Sequence, residues 1–279
     1  MRIVFARTRY FYDSYIDFYN LVSLSGYSTC YIDEMNLEDS RITYITAPMN
    51  GELGSWNDET RARKRAKVYL WDLERPSGSG GLQNYINDNN KLIEDGFLDN
   101  ILVSDKRLAQ DTRFRYIPLG SHPDLGHPGG LSEKRYDVVH LMSYTGRRSD
   151  PWFRDPGIIR ENIDGLTVAP NGWGAIKDAS LQRSKLMVNI HQDSSMYLEP
   201  LRFSLAMAYG LPIVTETCYD LSQYNNCAGI FQTDKDDIVK TIKLVLRSYP
   251  AVYQAGILLR NKFTAANTFC SYLEEHIYG

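Results

Sequence analysis

SKLMVNIHQDSSMYLEPLRFSLAMAYGLPIVTE, residues 184–216, reads as strand, loop, helix and strand in succession. The run 186–190 is short and apolar, as a strand buried on both faces must be. Pro200 takes the first helical position, where its missing N–H is no loss. Gly210 and then Pro212 stop the helix, and residues 211–215 return as a strand. Arg202 therefore falls in the first helical turn, at the positive end of the helix dipole. A bare cation there costs roughly a few tenths of a kcal/mol. A bound phosphate reverses the sign, because helix end and guanidinium attract it together. Glu199, three residues earlier, is close enough to pair with Arg202 or to hold a ribose hydroxyl. The same two residues also fit a local ion pair on an ordinary helix.

The rest of the chain bounds the setting. Its 279 residues suffice for two ordinary domains or one large one, and hydrophobic and charged fractions of 43% and 23% are those of a soluble globular protein. No apolar run approaches the roughly 20 residues of a membrane span. The opening MRIVFARTRYFYDS reads as a buried first strand and not as a signal peptide. The four cysteines, Cys30, Cys218, Cys227 and Cys270, are scattered without a CxxC pair, and the five histidines form no HExxH. Reduced thiols in a cytoplasmic protein without a zinc site are the expectation. Net charge is −3, with 15 Lys and Arg against 19 Asp and Glu in residues 1–133 and 16 against 15 in residues 134–279. Bulk charge thus excludes a general polyanion binder, and any nucleic-acid contact needs a local patch. Twenty tyrosines offer stacking area and hydroxyls suited to sugars and bases, although many belong in a core.

Strand and helix signals alternate almost throughout. Residues 2–6, 28–32, 42–47, 67–71, 101–104 and 115–119 read as strands, with helices at 15–24 and 82–95 stopped by Gly26 and Gly96. The Gly- and Pro-rich GSHPDLGHPGGLSEKR, residues 120–135, breaks the pattern. Strands resume at 136–142, 166–169, 186–190, 211–215 and 229–231, and helices at 235–248, 251–263 and 265–277 close the chain. The fold class is α/β. The expectation is two Rossmann-like doubly wound parallel-sheet domains facing across a cleft, residues 1–125 and 136–279, joined by a linker at 126–135. PSGSGG, residues 76–81, reads as a flexible loop, either a lid or an inert surface turn.

Three stretches carry a resemblance: YDVVHLMSYTGRR (136–148), SKLMVNIH with LEPLRFSLAMAYGLPIVTE, and DNILVSDKRLAQDTRFRYIPLGSHP (99–123). With the two-domain pattern, they resemble nucleotide-sugar glycosyltransferases of the GT-B fold, most closely the short CgeB-like and bacteriophage-type members of the group-1 transferases. Many retaining members carry two glutamates eight positions apart on this loop and helix. Here Tyr197 and Leu205 stand at those positions, and only a Glu199–Arg202 pattern remains, which leaves inversion or retention open.

The resemblance implies sugar transfer from a nucleotide diphosphate, a UDP sugar first, to a hydroxyl. The nucleotide sugar is then a co-substrate, and neither metal nor other cofactor is expected. Charge grows on the leaving diphosphate, and Arg202 with the Gly146–Arg147–Arg148 loop would stabilise it; a solvated turn is the plainer reading of Arg147 and Arg148. Gly172 and Trp173 follow a strand where the base would lie, although Trp173 also suits a core. His191 ends a central strand, pointing to the cleft or serving structure. On the acceptor side stand Arg7 and Arg9, with Asp13, Asp72 and Glu74 as carboxylates able to take a proton. Asp13 equally suits a helix cap. RARKRAK, residues 61–67, is the dense basic run. Arg63 and Arg65 with Trp71 either bind an acceptor or, for the run, form a solvated helix face. The acceptor stays open between a hydroxymethylated pyrimidine in DNA, which would have to be extruded, and a cell-surface glycan, lipid or protein. A nucleotide-sugar epimerase, a degenerate binding protein and a purely structural protein remain as other readings of the same fold.

Overall fold

The computed structural model describes residues 2–9, 15–47, 58–73, 81–156, 158–192, 195–224, 228–264 and 268–278. Two compact units result. The first holds Met1–Leu119 with Glu199–Leu201 and Tyr272–Gly279, and the second holds Gly120–Leu198 with Arg202–Ser271.

The first unit is built on a six-stranded sheet: β1 (Arg2–Arg7), β2 (Ser28–Tyr31), β3 (Ile42–Thr46), β4 (Lys67–Asp72), β5 (Asn100–Val103) and β6 (Arg115–Tyr116). The spatial order is β2-β1-β3-β4-β5-β6, and every pairing is parallel. Parallel strands are covered on both faces, which is why the central strands are continuous apolar runs. Helices α1 (Ile16–Leu24), α2 (Asp58–Arg63), α3 (Gly81–Glu94) and α4 (Lys106–Thr112) make the crossovers. On α1, Phe18 meets Phe5 and Trp71 edge-on at 5.8 and 5.4 Å. Its neighbour Tyr19 donates to the Ala6 carbonyl at 2.9 Å. Asp105 caps α4 through the Leu108 N–H at 2.8 Å. The strand expected at 115–119 stops at Tyr116, one bond after which Ile117 still donates to Val103 O at 3.0 Å. Pro118 follows and has no N–H with which to extend the ladder.

The second unit has a four-stranded parallel sheet ordered β14-β13-β12-β7. Its members are β7 (Tyr136–His140), β12 (Ser184–Asn189), β13 (Ile213–Glu216) and β14 (Ile230–Thr233). Val168 adds a parallel bridge to Val138. Two small antiparallel pairs were not anticipated: β8 (Phe153–Asp155) with β9 (Ile158–Ile159), and β10 (Asn162–Ile163) with β11 (Leu166–Thr167). Asp164 and Gly165, at φ 53° and 86°, make the two-residue turn between β10 and β11. Asp-Gly is the standard sequence for such a turn. Helices α5 (Ala175–Arg183), α6 (Pro200–Ala208), α7 (Ile238–Leu246), α8 (Tyr249–Thr264) and α9 (Thr268–Leu273) complete the unit apart from the residues of α6 and α9 that group with the first. Of these, α5 was also unforeseen: it exposes Ile176 and buries Lys177, so no clean apolar stripe marks it.

Side chains alternate across β12. Met187 joins Val139, Phe203, Ala206 and Ile213 on one face. Leu186, Val188 and Ile190 join Val138, Trp152, Ile238 and Ile242 on the other. The Gly- and Pro-rich segment from residue 120 is tied to this unit. Arg260 donates to Pro123 O at 2.7 Å, Tyr253 to Gly129 O at 3.2 Å, and Lys134 to Gln182 O at 2.7 Å. Among the described residues no helix is long and apolar enough to cross a membrane.

Helix α8 passes the end of α6 at backbone distance. A Cβ on Gly256 would strike the Gly210 carbonyl and lie 2.8 Å from Pro212 Cδ. Neither is the tip of a flexible side chain. Gly256→Ala should therefore destabilise by about 1–3 kcal/mol, read as a fall of roughly 2–10 °C in the thermal midpoint by circular dichroism.

Candidate functional site

In the second unit the chain turns at the carboxyl edge of the sheet after each strand, and polar side chains gather there. This is the edge at which open α/β sheets bind ligands. The loop after β7 makes a turn in which Arg148 N bonds Thr145 O at 2.9 Å and Ser149 Oγ donates to Gly146 O at 2.8 Å. That turn sends both arginines to β12 and its loop. Arg148 is 1% exposed, and its Nε donates to Ile190 O at 2.9 Å. Arg147 donates through Nη1 to Glu216 Oε2 at 2.7 Å and to His191 O at 3.2 Å, and through Nη2 to Glu216 Oε1. Glu216 Oε2 also accepts the His191 N–H at 3.1 Å. One carboxylate at the end of β13 thus ties down three segments.

Burial would raise the Glu216 carboxyl, but the Arg147 hydrogen bond, the His191 N–H and the Arg147 charge outweigh it and hold it below the usual range. His191 is wholly buried, with Nε2 3.1 Å from Thr217 O. A carbonyl only accepts, so Nε2 carries the proton. Of the two readings of His191, these contacts fit the structural one: backbone partners hold the ring inside.

Arg202 lies on α6, as the sequence placed it, and donates through Nη1 to Asn189 Oδ1 at 2.9 Å. Asn189 in turn donates to Thr215 Oγ1 at 3.2 Å, so the last residue of β12 aims the arginine. Glu199 is half-buried at the start of α6. Trp173 is 66% exposed and is therefore no core residue. Its loop is pinned to the one after β7 by Asn171 Nδ2 donating to Met142 O at 3.0 Å. At Gly172 a Cβ would come within 2.8 Å of Ile176, so the backbone packs closely there.

Sequence reasoning missed Glu216, Asn189 and His140. Each is a polar residue at or near the carboxyl end of an otherwise apolar strand, and that is the signal that would have found them. His140 is 1% exposed, between the rings of Trp152 and Phe153 at 5.7 and 5.4 Å. Among the described residues neither of its ring nitrogens has a hydrogen-bond partner.

The first-unit residues sort differently. Asp72 is buried at the end of β4 and accepts the Tyr85 hydroxyl at 2.7 Å. Asp13 and Glu74 lie outside the described residues. Arg7 and Arg9 sit 4.7 and 3.9 Å from the Tyr31 ring centre, and Arg9 also pairs with Asp33 and Glu34, each at 3.1 Å. Trp71 is 0% exposed and donates to Ser104 Oγ at 2.8 Å. Its proposed contact with an acceptor is corrected, because a ring sealed in the core has no face to offer. The basic run is laced with acids: Arg61 pairs with Asp58, Arg63 with Glu59 at 2.6 Å and Glu38 at 3.8 Å, and Lys64 with Asp99 at 2.7 Å. Arg65 donates to the Ala62 and Lys64 carbonyls at 3.2 and 3.1 Å. The run is thus interleaved with acids that offset part of its charge.

No protein-family model matches the sequence, and no curated protein sequence does. Solved structures share the fold. HepE from Anabaena in complex with UDP-glucose superposes with a TM-score of 0.62 at 11% identity over 100% of both chains. The DNA modifying enzyme β-glucosyltransferase gives 0.58 at 14% identity, again over 100% of both. TarM gives 0.56 at 14% identity over 86% of this chain, which spans only 55% of TarM. The fold is thus that of the GT-B glycosyltransferases, with two Rossmann-like units.

Burial, then the Arg202 and Arg148 charges, lower the His140 pKa to about 3. An unfolded histidine titrates near ~6.5, so between those values the unfolded chain binds more protons. Stability from this group is complete above about pH 6.5 and is lost as pH falls toward 3, at up to ~1.4 kcal/mol per pH unit. Urea unfolding at pH 7.0, 5.5 and 4.5 should show this loss in the native protein and a flatter profile in His140→Phe. Equal slopes would show that His140 does not titrate on unfolding.

Proposed function

We propose that this protein is a glycosyltransferase that moves a sugar from a nucleoside diphosphate, a UDP sugar, to a hydroxyl acceptor without a metal ion. The observation that carries this reading is the carboxyl edge of the second sheet. Arg147, Arg148 and Arg202 meet the loops there, beside an exposed Trp173 on a pinned loop. Guanidinium groups suit a diphosphate, and an exposed indole suits a base. The fold shared with a structure holding UDP-glucose supports the same donor class.

The roles follow from the chemistry. Gly172 and Trp173 receive the base, Glu199 a ribose hydroxyl, and Arg202 with Arg147 the diphosphate oxygens. Arg148 and His191 shape the floor from beneath. The acceptor oxygen bonds to the anomeric carbon as the bond to the diphosphate breaks, and the electron pair leaves with the nucleotide. Each donor preorganised toward that growing charge contributes roughly 3–4 kcal/mol to the barrier reduction. A first-unit carboxylate takes the acceptor proton. Asp72 is the one whose surroundings are described, with Asp13 and Glu74 as the other two.

The acceptor to test first is a hydroxymethylated pyrimidine in DNA, a class supported by the whole-length likeness to the DNA modifying β-glucosyltransferase. Because residues 61–65 are already paired, Arg63→Ala and Arg65→Ala together should change transfer to hydroxymethylated DNA by less than about twofold and barely alter its salt dependence. A tenfold loss would return the phosphate-tracking role to that run. Glycan, lipid and protein acceptors form the comparison arms.

The donor test is a thermal-shift panel of UDP, GDP, ADP, CMP and their common sugars. At 100 times its dissociation constant a ligand stabilises by ~2.7 kcal/mol, several degrees for a chain of this size. UDP or a UDP sugar should shift the native protein, and Arg202→Ala should abolish the shift. No response to any nucleotide would sink the transferase reading. Release of a free nucleotide sugar with an altered stereocentre would mark an epimerase instead, and binding without turnover a binding protein.

A further inference from the structure

We propose that Glu216 is a positioning residue, whose carboxylate sets the Arg147 guanidinium and the His191 backbone in the arrangement that receives the donor diphosphate. This rests on the donor reading above and adds a residue to it. Glu216 closes β13, a strand whose other residues, Ile213, Val214 and Thr215, are wholly buried. An apolar side chain at that strand end would avoid the cost of burying a charge, and buried ion pairs are often no more stable than apolar replacements. What the carboxylate supplies is geometry. Both of its oxygens face the two terminal nitrogens of Arg147, which fixes the plane of the guanidinium as well as its place. The same Oε2 takes the His191 N–H at 3.1 Å, and Arg147 Nη1 reaches back to His191 O at 3.2 Å. The ring so formed joins the loops after β7, β12 and β13. Arg147 is the member more exposed to solvent, with its side chain 28% accessible against 9% for Glu216. The acid acts from beneath, and the arginine is the group a ligand meets.

The test separates phosphate recognition from general damage. UDP and uridine are titrated calorimetrically into the native protein, Glu216→Gln, Arg147→Ala and the double variant. Glu216→Gln keeps the shape and removes the charge. It should weaken UDP roughly 10- to 100-fold and leave uridine within about twofold. In the Arg147→Ala background the same change should do nothing further, since the effect passes through the arginine. Glu216→Asp, which keeps the charge and shortens its reach, is made alongside in case the Gln variant does not fold, with about a tenfold loss for UDP expected. Equal weakening of UDP and uridine would overturn the proposal, as would full additivity with Arg147→Ala. If the native protein binds UDP and the folded Glu216 variants bind it equally well, the positioning role fails while the donor reading stands. If the native protein binds no UDP, both fail together.

Discussion

A wholly parallel sheet has no face that it can leave wet, and β12 lies in the interior of one. Leu186, Val188 and Ile190 go to one core and Met187 to the other. A polar side chain on this strand therefore has one economical place to be, at the carboxyl end where the ladder stops. Asn189, His191, Glu216 and His140 all stand at such ends. The same constraint that makes the strands apolar gathers the chemistry at one edge. Arg202 joins it because α6 starts beside that edge, and Pro200 and Gly210 fix where α6 starts and stops.

That edge is electrostatically crowded. Arg147 pairs there with the Glu216 carboxylate, and carbonyl and amide dipoles meet Arg148 and Arg202 as well. Arg148 spends its Nε on the Ile190 carbonyl, and Arg202 spends Nη1 on Asn189. His140, buried beside these charges, stays neutral, because another cation there would meet both desolvation and repulsion. Cations fixed in this way before any ligand arrives are what the proposed diphosphate site requires.

Much of the architecture was legible because parallel α/β sheets announce themselves through apolar runs and glycine stops. The helix at α6 and the strands around it could be read from Pro200, Gly210 and Pro212 together with the apolar runs 186–190 and 211–215. The antiparallel pairings β8–β9 and β10–β11 were not, because strands of two or three residues are too short to show any period, although 166–169 reads as a strand; the Asp164–Gly165 turn was the one local sign of β10–β11. In the site, Arg202 was readable from its place in a helical turn. Glu216 was not, because its meaning lies in Arg147, 69 residues away. Trp173 shows the same limit in reverse: its sequence context suited core or surface equally, and only its place in the fold, exposed just ahead of the positive-φ Gly174 that starts α5, decides between them.

The basic run carries the lesson furthest, because there the linear count leaves out the acids that the fold brings in. Residues 61–65 hold four cations, the densest such stretch in the chain. Their acids come partly from one turn away, Asp58 and Glu59, and partly from distant segments, Glu38 in the turn before β3 and Asp99 just ahead of β5. Lys64 goes further, bonding the Gly96 and Phe97 carbonyls that end α3, each at 3.4 Å. Helix C-termini favour cations, so this run fastens α2 to the end of α3 and is a structural clasp before it is a surface. A polyanion would have to displace partners already in place to use it, gaining only the difference. The acids so gathered offset part of the positive charge that the linear count assigns to residues 61–65, through pairs that are mostly solvent-exposed and individually weak.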